Sequence, residues 1–333
     1  MALTPLEMQA PELAEPPNPE AEAEIAGRSP FQIAMGRLRS DKVAIVCAAI
    51  VVIFILIAVF APLLTRLFGV EVRAGDPSTD TDIFNFPVIG PPDHGFTWKA
   101  PLGLAPDTGD DNLAEWLYGA RTSLMIASIS TVFATLIGIT IGLVAGFSRG
   151  WLDRVISFVI DVFLSLPFLL AALAVAPIIV LRFSDRPGLL KWATFFSLIF
   201  ILIITGWMQL ARLIRGEVLS LREREFIQAA RVMGVPTRQI LFKELLPNMV
   251  APIVVSFSLT LPAIVTAEAG LSYLGIGVIG QPSWGQTVLK AVPYFDTYPL
   301  YLYAPVLGIF VLVVALNLLG DAIRDAFDPK TRR

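Results

Sequence analysis

Long apolar runs recur along this chain, and they constrain its fold more than any motif does. They lie near residues 43–64, 123–147, 155–181, 192–214, 249–274 and 301–319. Each is close to the roughly 20 apolar residues that a helix needs to cross about 30 Å of hydrocarbon. Composition agrees: 55% of the 333 residues are hydrophobic and only 16% are charged, against about a quarter in a soluble domain. Mean hydropathy is +0.71. The fold class is therefore an all-α polytopic membrane protein with about six transmembrane helices.

The distribution of Lys and Arg orients these spans, because positive residues in short loops are retained on the cytoplasmic side. With the N-terminus inside, 17 of the 25 basic residues fall in inner segments, among them Arg37, Arg39, Lys42, Arg149, Arg212, Arg215, Arg222, Arg224, Arg231, Arg238 and Lys243. Both termini are then expected on the cytoplasmic side. The reverse topology would strand the basic cluster outside.

Residues 1–40 read as an acidic, disordered cytoplasmic tail, with Glu7, Glu12, Glu15, Glu20, Glu22 and Glu24 set among prolines and no basic residue before Arg28. Acidic residues followed by an apolar run do not make a cleaved signal peptide, so the first span, 41–64, is expected to remain as an anchor. Segment 65–120 then lies outside. It is rich in Pro, Asp and Gly, contains the single histidine, His94, and is long enough to act as a cap over a pore mouth or to be a spacer. Trp98, Trp116, Tyr118, Tyr294, Tyr298, Tyr301 and Tyr303 fit an aromatic belt at the membrane surface. Residues 121–320 form the membrane core, with a cytoplasmic loop at 215–248, and 321–333 form a C-terminal cytoplasmic tail.

That inner loop carries the most specific local signal. Good helix formers run from Arg222 to Met233, and Ala229 with Ala230 makes a shallow spot that another surface can approach. Gly234 suits the left-handed residue that closes a helix, Val235 the accompanying apolar contact, and Pro236 a stop. A second short helix from about Thr237 to Leu246 leads to Pro247 at the entry to the next span. The spacing predicts helix, turn, helix on the inner face: either a docking element or an amphipathic pair resting in lipid headgroups.

The residues Glu225, Ala229, Ala230, Gly234, Ile240, Leu246, Pro247 and Asn248 resemble the EAA loop of the permease subunits of bacterial ABC importers. Two later blocks, EAGLSYLGIGVIGQPSWG at 268–285 and NLLGDAIRDAFDP at 317–329, resemble closing signatures of the dipeptide/oligopeptide branch, its C-type permease in particular. The resemblance runs from about Leu102 to the C-terminus. It implies half of a translocation pathway for di- or oligopeptides, completed by a second permease subunit in a heterodimer. Two ATPase subunits, which would hold ATP and Mg, and an extracytoplasmic substrate-binding protein complete the assembly. The implied ATPase-coupling residues are Glu225, Phe226, Gln228, Ala229, Ala230, Arg231, Gly234 and Pro247. Nickel or another small solute is the alternative cargo within the same class.

One stretch departs from the family. Where the branch usually reads PLGTDxxGRDxxSR, residues 101–115 read PLGLAPDTGDDNLAE. Asp107, Asp110, Asp111 and Glu115 are thus candidate contacts for the binding protein, on a surface more acidic than the family pattern.

Ionisable residues within spans are costly and suggest function by default. Asp161 and Glu268 are pathway candidates that could meet a peptide ammonium; each could equally be paired locally. Gly138, Gly142 and Gly146 make small-xxx-small steps, which favour helix packing over ligand contact. Pro167, Pro177, Pro252 and Pro262 can kink their spans. The lone Cys47 leaves no disulfide within the chain. The chain has no H-E-x-x-H helix, no G-x-S-x-G elbow and no G-x-x-x-x-G-K-[ST] loop. No catalytic residue, metal, cofactor of its own or nucleic-acid partner is expected, and a stand-alone secondary transporter fits two isolated acids poorly.

Overall fold

Two capping carboxylates and a set of prolines decide where the helices begin and end. The computed structural model describes residues 30–70 and 77–328. Helix α1 (Pro30–Ser40) stops at Asp41, whose carboxylate accepts from the N–H groups of Val43 and Ala44 at 2.8 and 3.3 Å and so starts α2 (Lys42–Phe68). After the outer segment, Asp111 does the same for α3 (Asn112–Phe147), accepting from Ala114 N at 2.9 Å. Then follow α4 (Trp151–Ser165), α5 (Phe168–Phe183), α6 (Pro187–Leu221) and α7 (Glu225–Val232). Helix α8 comprises Thr237–Gln239, a π-helical stretch Ile240–Leu245 and Leu246–Asn248. Last come α9 (Val250–Tyr273), α10 (Trp284–Ala291) and α11 (Pro299–Phe327). Among the described residues there is no strand, only isolated bridges in the outer segment.

Helices α2, α3, α6, α9 and α11 are each long and apolar enough to cross a membrane. The third apolar run, expected as one continuous span, is instead broken: α4 and α5 meet at 80°. Pro167 is the cause. Its ring drives Leu166 out of the helical region, to φ −74° and ψ 126°, and α5 restarts from Pro167 itself. Two tail boundaries also change. Residues 30–40, read as part of a disordered tail, are the helix α1, whose Arg37 donates to the carbonyls of Ala326 and Asp328 at 3.2 and 3.1 Å. Residues 321–327 continue α11 rather than opening a tail. Residues 1–29 and 329–333 lie outside the described residues.

The core rests on close backbone approach. A Cβ on Gly138, Gly142 or Gly146 of α3 would lie 2.9 Å from Trp207 O, 2.7 Å from Ala211 O and 2.6 Å from Val218 Cβ respectively, so α6 packs directly against the glycine face. Near the N-terminal end of α3, Trp284 is fully buried and its Nε1 donates to Trp116 O at 3.0 Å, while Trp116 Nε1 donates to Ala304 O at 2.9 Å. Phe54 closes the cluster edge-on, 5.8 Å from Trp284. Trp116 is therefore a strut between α3, α10 and α11 rather than part of a surface belt. Tyr298 and Tyr301 are buried as well. The described part of the outer segment folds onto them: Phe86 stacks on Tyr298 at 5.9 Å, and Tyr298 OH donates to Asp93 Oδ2 at 3.1 Å.

Candidate functional site: an inner hairpin and a polar cleft

At the end of the bundle where α3 stops, α7 is short and two-faced because its apolar residues are divided between a buried and an exposed side. Ile227 and Ala230 turn inward and pack with Leu143, Leu210, Ile214 and Val218, joined there by Ile240, Leu245 and Met249 from α8 and its C-terminal end. The outward side bears Phe226, Val232 and Met233, which are 43%, 89% and 74% exposed. The helix closes as a Schellman turn. Gly234, at φ +74°, donates to Arg231 O at 3.0 Å, and Val235 donates to Ala230 O at 3.0 Å while packing on the same core.

The residues implied for coupling are distributed between these two faces. Glu225, Ala229 and Pro247 are exposed, and Gly234 has open space on its Cβ side. Gln228 donates to Arg222 O at 2.8 Å, bracing the turn before the helix. The Arg231 guanidinium lies 4.6 Å from the centroid of the Phe147 ring, at the end of α3. Arg222 Nη1 donates to Gly146 O at 3.0 Å, satisfying a carbonyl at that same end. Ala230, which with Ala229 was expected to form one shallow outward spot, is buried against the bundle. The 100° turn between successive helical residues separates the two alanines. The first helix begins at Glu225 rather than Arg222, because residues 222–224 form a turn.

A cleft of about 490 Å³ opens on the face between α6 and α9, flanked by Phe168 of α5. Its polar lining consists of Thr205 and Gln209 on α6 and Ser256 and Thr260 on α9. The hydroxyls of Thr205 and Thr260 are taken up by their own helices, at 2.8 Å to Ile201 O and 2.7 Å to Ser256 O. Gln209 is exposed and also borders the neighbouring space lined by Arg212 and Glu217. Sequence reading missed these four residues. Their signal was legible: two polar i, i+4 pairs, each on one stripe of an apolar helix.

Neither acid proposed for the pathway lines this cleft. Asp161 pairs with Arg212 at the surface between α4 and α6, one turn from a bidentate pair in which Arg215 Nε and Nη2 donate to Asp153 at 2.7 and 3.0 Å. Glu268 is fully buried among α3, α9 and α10. One of its oxygens accepts from Ser272 Oγ at 2.8 Å, and Oε2 has no hydrogen-bond partner. It belongs to the packing of the outer end.

The acidic outer stretch is also partly internal. Glu115 is buried and held by Lys290 Nζ at 2.9 Å and Thr287 Oγ1 at 3.4 Å. Asp111 is buried as the cap of α3, and burial pushes its carboxyl up to about 6, against the opposing pull of the Ala114 N–H. These two are corrected from surface contacts to internal ones. Asp107 stays exposed, accepting from Tyr294 OH, and that bond holds the Tyr294 phenol above its ordinary range. Burial, reinforced by Asp93, pushes Tyr298 up to about 12. The backbone of Asp110 accepts from Ala105 N at 2.7 Å in the same turn. Among the described residues no group of three or more His, Cys, Asp or Glu side chains could hold a metal ion.

The described residues form an all-helical, multi-spanning membrane protein with a two-faced hairpin at one end and a polar cleft on one open face. Its fold matches that of a solved ABC transporter in inward-facing conformations, the MetNI methionine transporter. The TM-score is 0.52 and the identity 21%, with 65% of this chain and 97% of that one covered. Residues 138–333 match the family described as binding-protein-dependent transport system inner membrane component, and the chain belongs to that family. Residues 29–82 match the N-terminal TM domain of oligopeptide transport permease C. Similar proteins include an oligopeptide transport system permease of Bacillus subtilis, 35% identical over 90% of each chain. A dipeptide transport system permease of Alkalihalophilus pseudofirmus is 33% identical over 96% of each. A glutathione transport system permease of Pectobacterium atrosepticum is 36% identical over 67% of this chain and 71% of its own. The chain is thus an ABC importer permease of the peptide branch, seated in the inner membrane.

Proposed function

We propose that this chain forms one half of a pathway for di- or oligopeptides and converts ATP hydrolysis by partner ATPase subunits into alternating access. The observation that carries this reading is the division of α7. One side is keyed into α3 and α6 through Ile227 and Ala230, while the other leaves Val232 and Met233 bare beyond the membrane-crossing helices. A helix bonded to the bundle on one side and open on the other transmits the displacement of whatever grips it. Such coupling needs contacts that differ between two states of the gripping partner. ATP and Mg reside on those ATPases. A second permease subunit faces the cleft, a binding protein delivers cargo outside, and both termini lie in the cytoplasm.

Thr205, Gln209, Ser256 and Thr260 supply hydroxyl and amide groups but no carboxylate, which favours a neutral, amide-rich cargo over a divalent cation such as nickel. The test is Val232→Asp with Met233→Asp in the assembled transporter, reconstituted in proteoliposomes. The expected result is loss of binding-protein-stimulated ATPase activity and of peptide uptake, with membrane insertion unchanged. Uptake at the wild-type rate would overturn the coupling role.

A further inference from the structure

Away from the cleft, α2 and α11 part to leave an apolar groove of about 450 Å³. Its floor is made by two small, buried residues, Cys47 and Ala315, and larger side chains such as Val314 rise beside them. It runs from Lys42 to Ile50 on α2 and from Phe310 to Leu318 on α11. Eight residues of helix rise about 12 Å, close to one leaflet's share of a hydrocarbon core of about 30 Å. At the next turn Phe54 is buried against Trp116 and Trp284, so the groove closes there, well short of a full membrane-crossing length. A transmembrane helix of another subunit would need the full thickness.

The mouth is basic. Lys42 lines it, is exposed, and forms no ion pair among the described residues. The nearest carboxylate in sequence, Asp41, is engaged by the N–H groups of Val43 and Ala44. An ammonium at a helix end, set over an apolar slot one leaflet deep, matches the two halves of a phospholipid: phosphate at the surface and acyl chain below.

We propose that this groove is a binding site for an anionic phospholipid, with one acyl chain along Cys47 and Ala315 and the phosphate against Lys42. Which leaflet supplies the lipid rests on the cytoplasmic placement of the α1–α2 corner; the site itself does not. Its test therefore needs neither ATP nor transport, and its failure would leave the coupling reading untouched.

The full-length chain, purified in detergent, is incubated with phosphatidylglycerol or with phosphatidylcholine of the same acyl chains, and retained lipid is counted by native mass spectrometry. Wild type is expected to retain phosphatidylglycerol about fivefold better, the worth of one lysine at an anionic surface. Lys42→Glu should abolish that preference, and Lys99→Glu in the outer segment should preserve it. Val314→Trp should reduce retention of both lipids. Because that variant fills a packed groove, a photoreactive benzoylphenylalanine at Val314 in the intact complex, irradiated in native membranes, gives a second reading. Adducts with phospholipid support the site. Adducts with a partner helix or with residues 1–29 overturn it, as does equal retention by wild type and Lys42→Glu.

Discussion

Single atoms set two measurable costs in this chain. The carboxyl of Asp111 caps α3 from a buried position, and burial raises its folded value to about 6 from an ordinary 3.8. Below pH 3.8 the group is protonated whether folded or unfolded and contributes nothing. As pH rises toward 6 the unfolded chain releases the proton first, so stability falls, by up to about 3 kcal/mol at 1.36 kcal/mol per unit. Asp111→Asn keeps the acceptor for Ala114 N–H and removes the charge. It should flatten the Asp111 contribution between pH 4 and 6 and melt no lower than wild type at pH 7.5, read as the difference between thermal unfolding curves in detergent at the two pH values. Gly142 is the opposite case, a position fixed by absence. A methyl there would meet Ala211 O and Ile214 Cβ, both at 2.7 Å, so Gly142→Ala should destabilise by about 1–3 kcal/mol. Gly216→Ala on the facing helix α6 has nothing within 4 Å and should be neutral or slightly stabilising. Equal melting of the two alanine variants would refute direct α3–α6 contact.

At the scale of elements, the inner hairpin divides local strain from contact with a partner. Gly234 at φ +74° has no neighbouring atom within 4 Å of a built Cβ. In the isolated chain, Gly234→Ala and Gly234→Leu should therefore cost the same 1–2 kcal/mol or so of left-handed strain, and size should not matter. In the assembled transporter, Leu should reduce peptide uptake several-fold more than Ala. Identical uptake by both variants would mean that nothing docks there. This turn was fully legible in the sequence, because Gly234, Val235 and Pro236 act through bonds five residues long or shorter. The break between α4 and α5 was half legible: Pro167 announces a kink, but its 80° angle depends on where both halves find packing partners. Helix α1 was lost to averaging, since the glutamates of residues 7–24 colour the composition of a window whose last residues are amphipathic. The internal roles of Glu115 and Tyr298 were not legible at all. Their partners, Lys290 and Asp93, lie 175 and 205 residues away, and no periodicity in a single sequence joins such pairs.

For the molecule as a whole, the decisive asymmetry is between two of its exposed grooves. One, on the α6–α9 face, carries Thr205, Gln209, Ser256 and Thr260; the other, between α2 and α11, is apolar apart from Lys42 at its mouth. A bilayer tolerates the second facing outward. The first would set the exposed Gln209 amide against hydrocarbon, a cost that protein or water on that face would remove. If it forms half of an aqueous pathway, a thiol placed in it meets water and ionises, whereas a thiol in lipid stays protonated and inert. Cys47, the single native cysteine, is buried, and Cys47→Ser supplies a blank background. In that background, Thr260→Cys in the assembled transporter should react with a hydrophilic, membrane-impermeant maleimide, and Val314→Cys should not. Trapping the partner ATPases in their ATP-bound state should change the rate at Thr260→Cys several-fold and leave Val314→Cys silent, because only the pathway changes its access. Silence at both positions in both states would place α6 and α9 against lipid or a closed protein interface, and the pathway would have to be sought on another face of the bundle.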